Sequence, residues 1–154
     1  MDSVLRLRKD LSRAQQPAMW AAPTRQMSLA QTDPEVLHAI LTEAYSAGMG
    51  EIAPFGTWWP QLNGDSEFDP ELVFIAADDG GQPIGIAQCW TSGFIKDLAV
   101  VPAWRGRGIG ETLLQQTFWS FWQRGVYSCD LKVMAENTHA IALYRRMGMT
   151  VVQN

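Results

Sequence analysis

The chain has 154 residues, 47% of them hydrophobic and 18% charged, and a formal net charge of −4. That length supports one domain whose core stands without disulfide help. The acidic balance and the lack of any Lys/Arg block argue against a nucleic-acid surface, and no apolar run reaches the ~18 residues of a membrane span. Two cysteines, Cys89 and Cys129, far apart in sequence, and two histidines argue against a metal site. Met1 to Arg8 carries no signal-peptide core, so a cytoplasmic location is expected.

Residues 1–23 read as an N-terminal extension and residues 24–154 as a single domain. Within the extension, Val4-Leu5-Arg6-Leu7-Arg8 alternates as a strand does, and Ser12 to Pro23 reads as a connecting loop. Arg25 to Leu29 is a short strand. Thr32-Asp33-Pro34-Glu35 has the pattern of a helix start, a capping residue followed by proline in the first turn. Val36, Leu37, Ile40, Leu41 and Ala44 then recur at helical spacing, and Gly48 and Gly50 are expected to end that helix.

Residues 51–70 read as a loop rich in aromatics, acids and prolines. Leu72 to Ala77 and Ile84 to Trp90 form two strands joined by the hairpin turn Asp78-Asp79-Gly80-Gly81. Phe94 to Val100 is a third. A helix follows from about Gly108 to Arg124, its stripe Leu113, Leu114, Thr117, Phe118 and Phe121 recurring every 3.6 residues. Val126 to Val133 is a strand, Asn137 or Thr138 opens a last helix that Gly148 closes, and Met149 to Val152 is a final short strand. A hairpin meander followed by a strand–helix–strand crossover predicts a mixed α/β (α+β) domain with a mixed sheet.

Between the third strand and the long helix lies Arg105-Gly106-Arg107-Gly108-Ile109-Gly110. Glycines at alternate positions let a backbone approach a ligand closely. Successive amide groups can then converge on one anion, helped by the positive end of the helix dipole and by Arg105 and Arg107. Such a turn suits a pyrophosphate. A dinucleotide fingerprint would need glycine where Glu111 stands, and no P-loop Gly-Lys-Ser/Thr triplet occurs.

The segment resembles the signature of the GNAT acetyltransferases, Arg/Gln-x-x-Gly-x-Gly/Ala, here Arg105-x-x-Gly108-x-Gly110 preceded by Leu98-Ala99-Val100 and Pro102. The likeness continues through Asn137 and Ala142-Leu143-Tyr144-Arg145-Arg146-Met147-Gly148-Met149. It covers Leu72 to Val152 well and residues 24–50 loosely. It implies the GNAT fold, a central, mostly antiparallel mixed sheet flanked by helices. It also implies acetyl-CoA as donor, no metal, a primary amine of a small molecule or peptide as acceptor, and direct transfer without an acyl-enzyme. A homodimer is a family-level expectation.

By the same resemblance, the Leu98 N–H faces the acetyl carbonyl and the Val100 backbone pairs with the pantetheine arm. Residues Arg105 to Gly110 hold the pyrophosphate, Asn137 contacts the cofactor arm, and Tyr144 protonates the departing thiolate. Read from sequence alone, Asn137 is equally a helix cap and Tyr144 a core residue with a tethered hydroxyl. A non-catalytic acyl-CoA sensor with the same fold is the alternative function.

An amine nucleophile must also lose a proton. Some branches of the family carry a glutamate four residues before the position of Leu98, but Phe94 stands there. Asp97 is the first candidate base, its alternative a carboxylate paired with Lys96 or an arginine. Glu71, Asp69 and Glu51 are weaker candidates. Trp58, Trp59 and Trp90 are candidate acceptor-site residues, able to cradle a cation. The family's sheet commonly ends in two strands after the last helix, and only one is legible here. Val4 to Arg8 is therefore expected to supply the other, from the same chain or from a partner subunit.

Overall fold

The computed structural model describes residues 3–46 and 51–152. The expected helix-ending Gly48 and Gly50 lie outside the described residues. Seven strands form one sheet in the order β2-β3-β4-β5-β6-β1-β7. They are β1 (Val4–Asp10), β2 (Arg25–Met27), β3 (Phe68–Ala77), β4 (Pro83–Trp90), β5 (Phe94–Val100), β6 (Ser128–Met134) and β7 (Thr150–Val152). Every neighbouring pair is antiparallel except β5 and β6.

Alternation along the strands sorts side chains onto two faces. On β3, Leu72, Phe74 and Ala76 join the core beneath α3 (Ile109–Gln123) and α4 (Thr138–Arg146). Val73, Ile75 and Ala77 point the other way, into the core beneath α1 (Pro34–Tyr45) and α2 (Phe55–Asn63). Both faces being covered, β3 and β4 read as continuous apolar runs rather than as an alternating pattern. The stripe expected on α3 is the buried one, with Leu113, Leu114, Phe118 and Phe121 fully excluded from solvent. Asp33 caps α1, accepting from the Glu35 N–H at 2.9 Å.

The segment expected to be a loop between residues 51 and 70 contains helix α2. Pro54 and Pro60 hide it, because proline normally breaks a helix. Here Pro54 precedes the first turn, and Pro60, inside the helix, gives up only one ladder donor. The Pro60 carbonyl still accepts from the Gly64 N–H at 3.0 Å.

Strand β1 is interior to the sheet. It pairs along its whole length with β6, Val4 opposite Met134 through Asp10 opposite Ser128. Its other edge carries β7, with Leu7 opposite Val151. Leu7 is fully buried with Cys129, Leu131 and Met149, while Arg6 and Arg8 point to the opposite face.

Candidate active site

Strands β5 and β6 pair only at Phe94–Asp130 and Ile95–Leu131, although each runs for seven residues. The cause is local. Gln88 of β4 opposes Asp97 but Cys89 opposes Ile95, so Lys96 is an extra residue on β5. A bulge bends its strand and ends regular pairing, and from Lys96 onward β5 follows β4 and leaves β6.

The opening is edged by chosen backbone groups. The Val101 N–H donates to the Ile84 carbonyl at 2.9 Å. Hydrogen-bonded pairs alternate along an antiparallel ladder, so Ala99 and Asp97 address β4 while Leu98 and Val100 turn their N–H and C=O toward the opening. The Val100 carbonyl there accepts from Arg105 Nε at 3.1 Å.

The glycine-rich turn stands at the same end of β5. Gly106 and Gly108 have φ of +76° and +81°, and a Cβ added to either would meet no atom within 4 Å. This left-handed backbone, costly for other residues, faces open space. No side chain caps α3, so the first amides of the helix, from Ile109, Gly110 and Glu111, lack the capping partner that helix starts usually have. Gly110 has a different task from its neighbours. A Cβ there would come within 3.1 Å of Leu143 Cδ2, so the glycine lets α4 close against α3. The Arg107 guanidinium stacks over the Trp104 ring at 4.6 Å.

Tyr144, on α4, is 8% exposed in the α3/α4 core, and burial raises its phenol to about 12. No hydrogen bond to a described residue holds its hydroxyl. From the other face, Tyr45 at the end of α1 donates its hydroxyl to Asp97 Oδ1 at 2.6 Å. Burial first, then the Asp97 carboxylate and Tyr144, push the Tyr45 phenol well above its ordinary value. The two tyrosines, in the cores on opposite faces of the sheet, are close enough for Tyr144 to act on the Tyr45 phenol electrostatically. Asp97 is 4% exposed, and its second oxygen takes Lys96 Nζ at 3.0 Å. The ion pair anticipated as the plain alternative for this residue is therefore present, at the point where the strands part.

Asn137 caps α4, its side-chain oxygen accepting from the Ala140 N–H at 3.3 Å. Trp58 is 5% exposed, packed among His38, Phe55 and Trp59 in the α1/α2 core. Trp59 is half-buried, edge-on to Phe68, and Trp90 is half-buried at the end of β4. Of the weaker candidate bases, Asp69 pairs with Arg124 at 2.9 Å beside α3, and Glu71, exposed, reaches the same arginine. Glu51 is exposed. Tyr45 was not singled out, although it continues the α1 stripe Leu37–Leu41 at the next four-residue step, which was the available signal.

The acetyltransferase (GNAT) family model matches residues 35–149, well over half of the chain. A mycothiol acetyltransferase of Beutenbergia cavernae is 36% identical over 95 residues, covering 58% of this chain and 32% of its own length. The chain thus spans about a third of the length of the curated relatives it matches. A GCN5-related N-acetyltransferase from Sphaerobacter thermophilus superposes with a TM-score of 0.76 at 27% identity, over 98% of this chain and 49% of that one. The NatC complex bound to Gag peptide and CoA shares the fold at a TM-score of 0.63 and 23% identity, over 84% of this chain and 86% of that one. Among the described residues no helix is long and apolar enough to cross a membrane, and no group of His, Cys, Asp and Glu could hold a metal ion.

Proposed function

The chain belongs to the GNAT acetyltransferase family, and from that premise we propose that it moves an acetyl group from acetyl-CoA to a primary amine of a small molecule or peptide. The observation that carries the reading is the opening between β5 and β6. It has unpaired strand amides along one edge, an uncapped helix start with two arginines at one end, and a buried tyrosine above. Relatives named mycothiol acetyltransferase and a neighbour solved with CoA and a peptide support the same direction.

The residues fit the donor. The amides from Gly106 to Glu111, with Arg105 and Arg107, form an anion cradle for the pyrophosphate, and Val100 offers a strand edge to the pantetheine amides. Asn137 lies at the start of α4, where a cofactor arm would pass. When bound, acetyl-CoA supplies a thioester carbonyl to the opening.

The Leu98 N–H would hold that carbonyl oxygen as it gains charge, a donor of a kind often worth ~3 kcal/mol. The amine attacks the carbonyl carbon, the C–N bond forms and the C–S bond breaks. Asp97 would take the proton lost by nitrogen. Each of its oxygens keeps a second lone pair beside the bonds from Tyr45 and Lys96. Tyr144 would return a proton to sulfur, and its raised phenol keeps that proton in place at neutral pH.

Calorimetric titration of the full chain with CoA is expected to show saturable heat. Arg105→Ala should weaken the affinity about tenfold, the scale of one lost charge-assisted contact. Thiol release over a panel of amines then tests transfer. Absence of heat from CoA at millimolar concentration would overturn the reading.

A further inference from the structure

Beside the opening, on the α1/α2 face, lies a second concavity of about 350 Å³. Its walls include Arg6 and Arg8 of β1, Asp130 of β6, Phe94 and Trp90 of the β5 and β4 ends, and Glu67. We propose that it binds a carboxylate of the acceptor and so selects amines that carry one. The proposal rests on the acetyl-transfer reading for its purpose, but not for its test.

The charge arrangement points to the ligand. Asp130 receives Arg6 Nε at 2.6 Å, Arg8 Nε at 2.8 Å and Arg8 Nη2 at 2.9 Å. One carboxylate therefore holds two guanidinium groups side by side. Asp130 itself is closed off, its side chain 7% exposed, whereas Arg6 and Arg8 remain 32% and 46% exposed. Among the described residues no acceptor meets either terminal nitrogen of Arg6 or the Nη1 of Arg8. The Phe94 ring lies 5.5 Å from the Arg6 guanidinium, within cation–π reach. A planar, prepositioned fork of this kind matches a carboxylate bidentately.

Glu67 sets the upper limit of charge. Its Oε1 accepts from the Ser92 N–H at 3.1 Å and closes another wall. With Asp130 and Glu67 the two arginines balance to a formal charge of zero, so the attraction for a carboxylate comes from the guanidinium nitrogens turned toward the concavity and not from net charge. A phosphate dianion would face Asp130 and Glu67 together.

The position fits an acceptor. Phe94 and Leu98 stand four residues apart on β5, on the order of 13 Å along the strand. An extended chain covers at most ~3.5 Å per residue, so an amine at the Leu98 end would place a carboxylate at the arginine heads in a peptide of about four residues, and not in a free α-amino acid. Arg6 and Arg8 also fall outside residues 35–149, so this feature belongs to the N-terminal strand and not to the matched family core.

The test is a titration of the full chain, without acetyl-CoA, by tetra-alanine, by its C-terminal amide and by aminoethyl phosphate. Arginine side-chain Nε–Hε resonances and calorimetry are the readouts. The free acid is expected to bind about tenfold tighter than the amide and to shift the Arg6 and Arg8 signals saturably. Arg6→Gln and, independently, Arg8→Gln should reduce the acid to the affinity of the amide. Equal binding of acid and amide by the parent, absent shifts at both arginines, or tighter binding of the phosphate would overturn the proposal. Because no cofactor is present, a failure of acetyl transfer leaves this result unaffected.

Discussion

Tyr144 sits in the α3/α4 core where solvent barely reaches it, and no described residue competes for its hydroxyl. If its task is to protonate the leaving sulfur, the benefit falls in the transition state and not in binding. Tyr144→Phe should then lower kcat by a factor of about ten to a hundred. The KM for acetyl-CoA should stay within about twofold, because the ring and its packing are kept. Steady-state thiol release under conditions where chemistry limits turnover measures both constants, and an unchanged kcat would remove Tyr144 from the scheme. Its place in the helix stripe and its spacing from the glycine turn made this residue legible. Tyr45 was less so, since its partner Asp97 lies 52 positions away and only the fold brings them to 2.6 Å. Trp58 and Trp59 show the limit of composition. Adjacent on a helix, they point about 100° apart, and the proline-broken pattern concealed the helix that sends one into the core and leaves the other half-buried.

Strands β1 and β6 are joined on one face by apolar packing and on the other by Asp130 with its two arginines. Desolvation by burial works to raise the Asp130 carboxyl, but the bonds and charges of Arg8 and Arg6 together outweigh it and hold the group below its ordinary 3.8. Ionised Asp130 therefore favours the folded state. That contribution is present above the ordinary value and is lost as pH falls through the lower folded value. Asp130→Asn should lower the melting temperature at pH 7 by about 5 °C, the equivalent of ~2 kcal/mol of charged hydrogen bonding. The gap between parent and variant should narrow as the pH falls below about 4, since the parent then loses the same charge. Scanning calorimetry from pH 7 to pH 3 checks this, and a gap independent of pH would show that the carboxylate charge does not fasten β1. The alternation of Val4 to Arg8 made the strand itself visible. Its register was not, because the partner that fixes it, Asp130, is one acidic residue in an otherwise ordinary strand.

Across the whole molecule, the sheet depends on a strand from the far end of the chain. β5 holds β6 at only two register positions, so β6 is kept in place chiefly by β1, which also carries β7. The gap on which the proposed chemistry relies therefore lies between β5, backed by β4, and β6, backed by a strand more than a hundred residues from β6 in sequence. Strand counting could suggest that an N-terminal strand joins the sheet; only the three-dimensional pairing places it between β6 and β7. Removing residues 1–10 would uncover one edge of β6, leave β7 without its partner, and take Leu7 from a core where it is fully buried. Loss of one such leucine alone costs about 2–5 kcal/mol, against a total stability of roughly 5–15 kcal/mol. The shortened chain should lose its cooperative thermal transition in circular dichroism, and with it CoA binding. Leu7→Ala in the full chain should keep a cooperative transition at a lower temperature, and keep CoA affinity, because β1 still bridges β6 and β7. A shortened chain that melts as the parent does would mean that β6 holds its place, and the opening its shape, without β1.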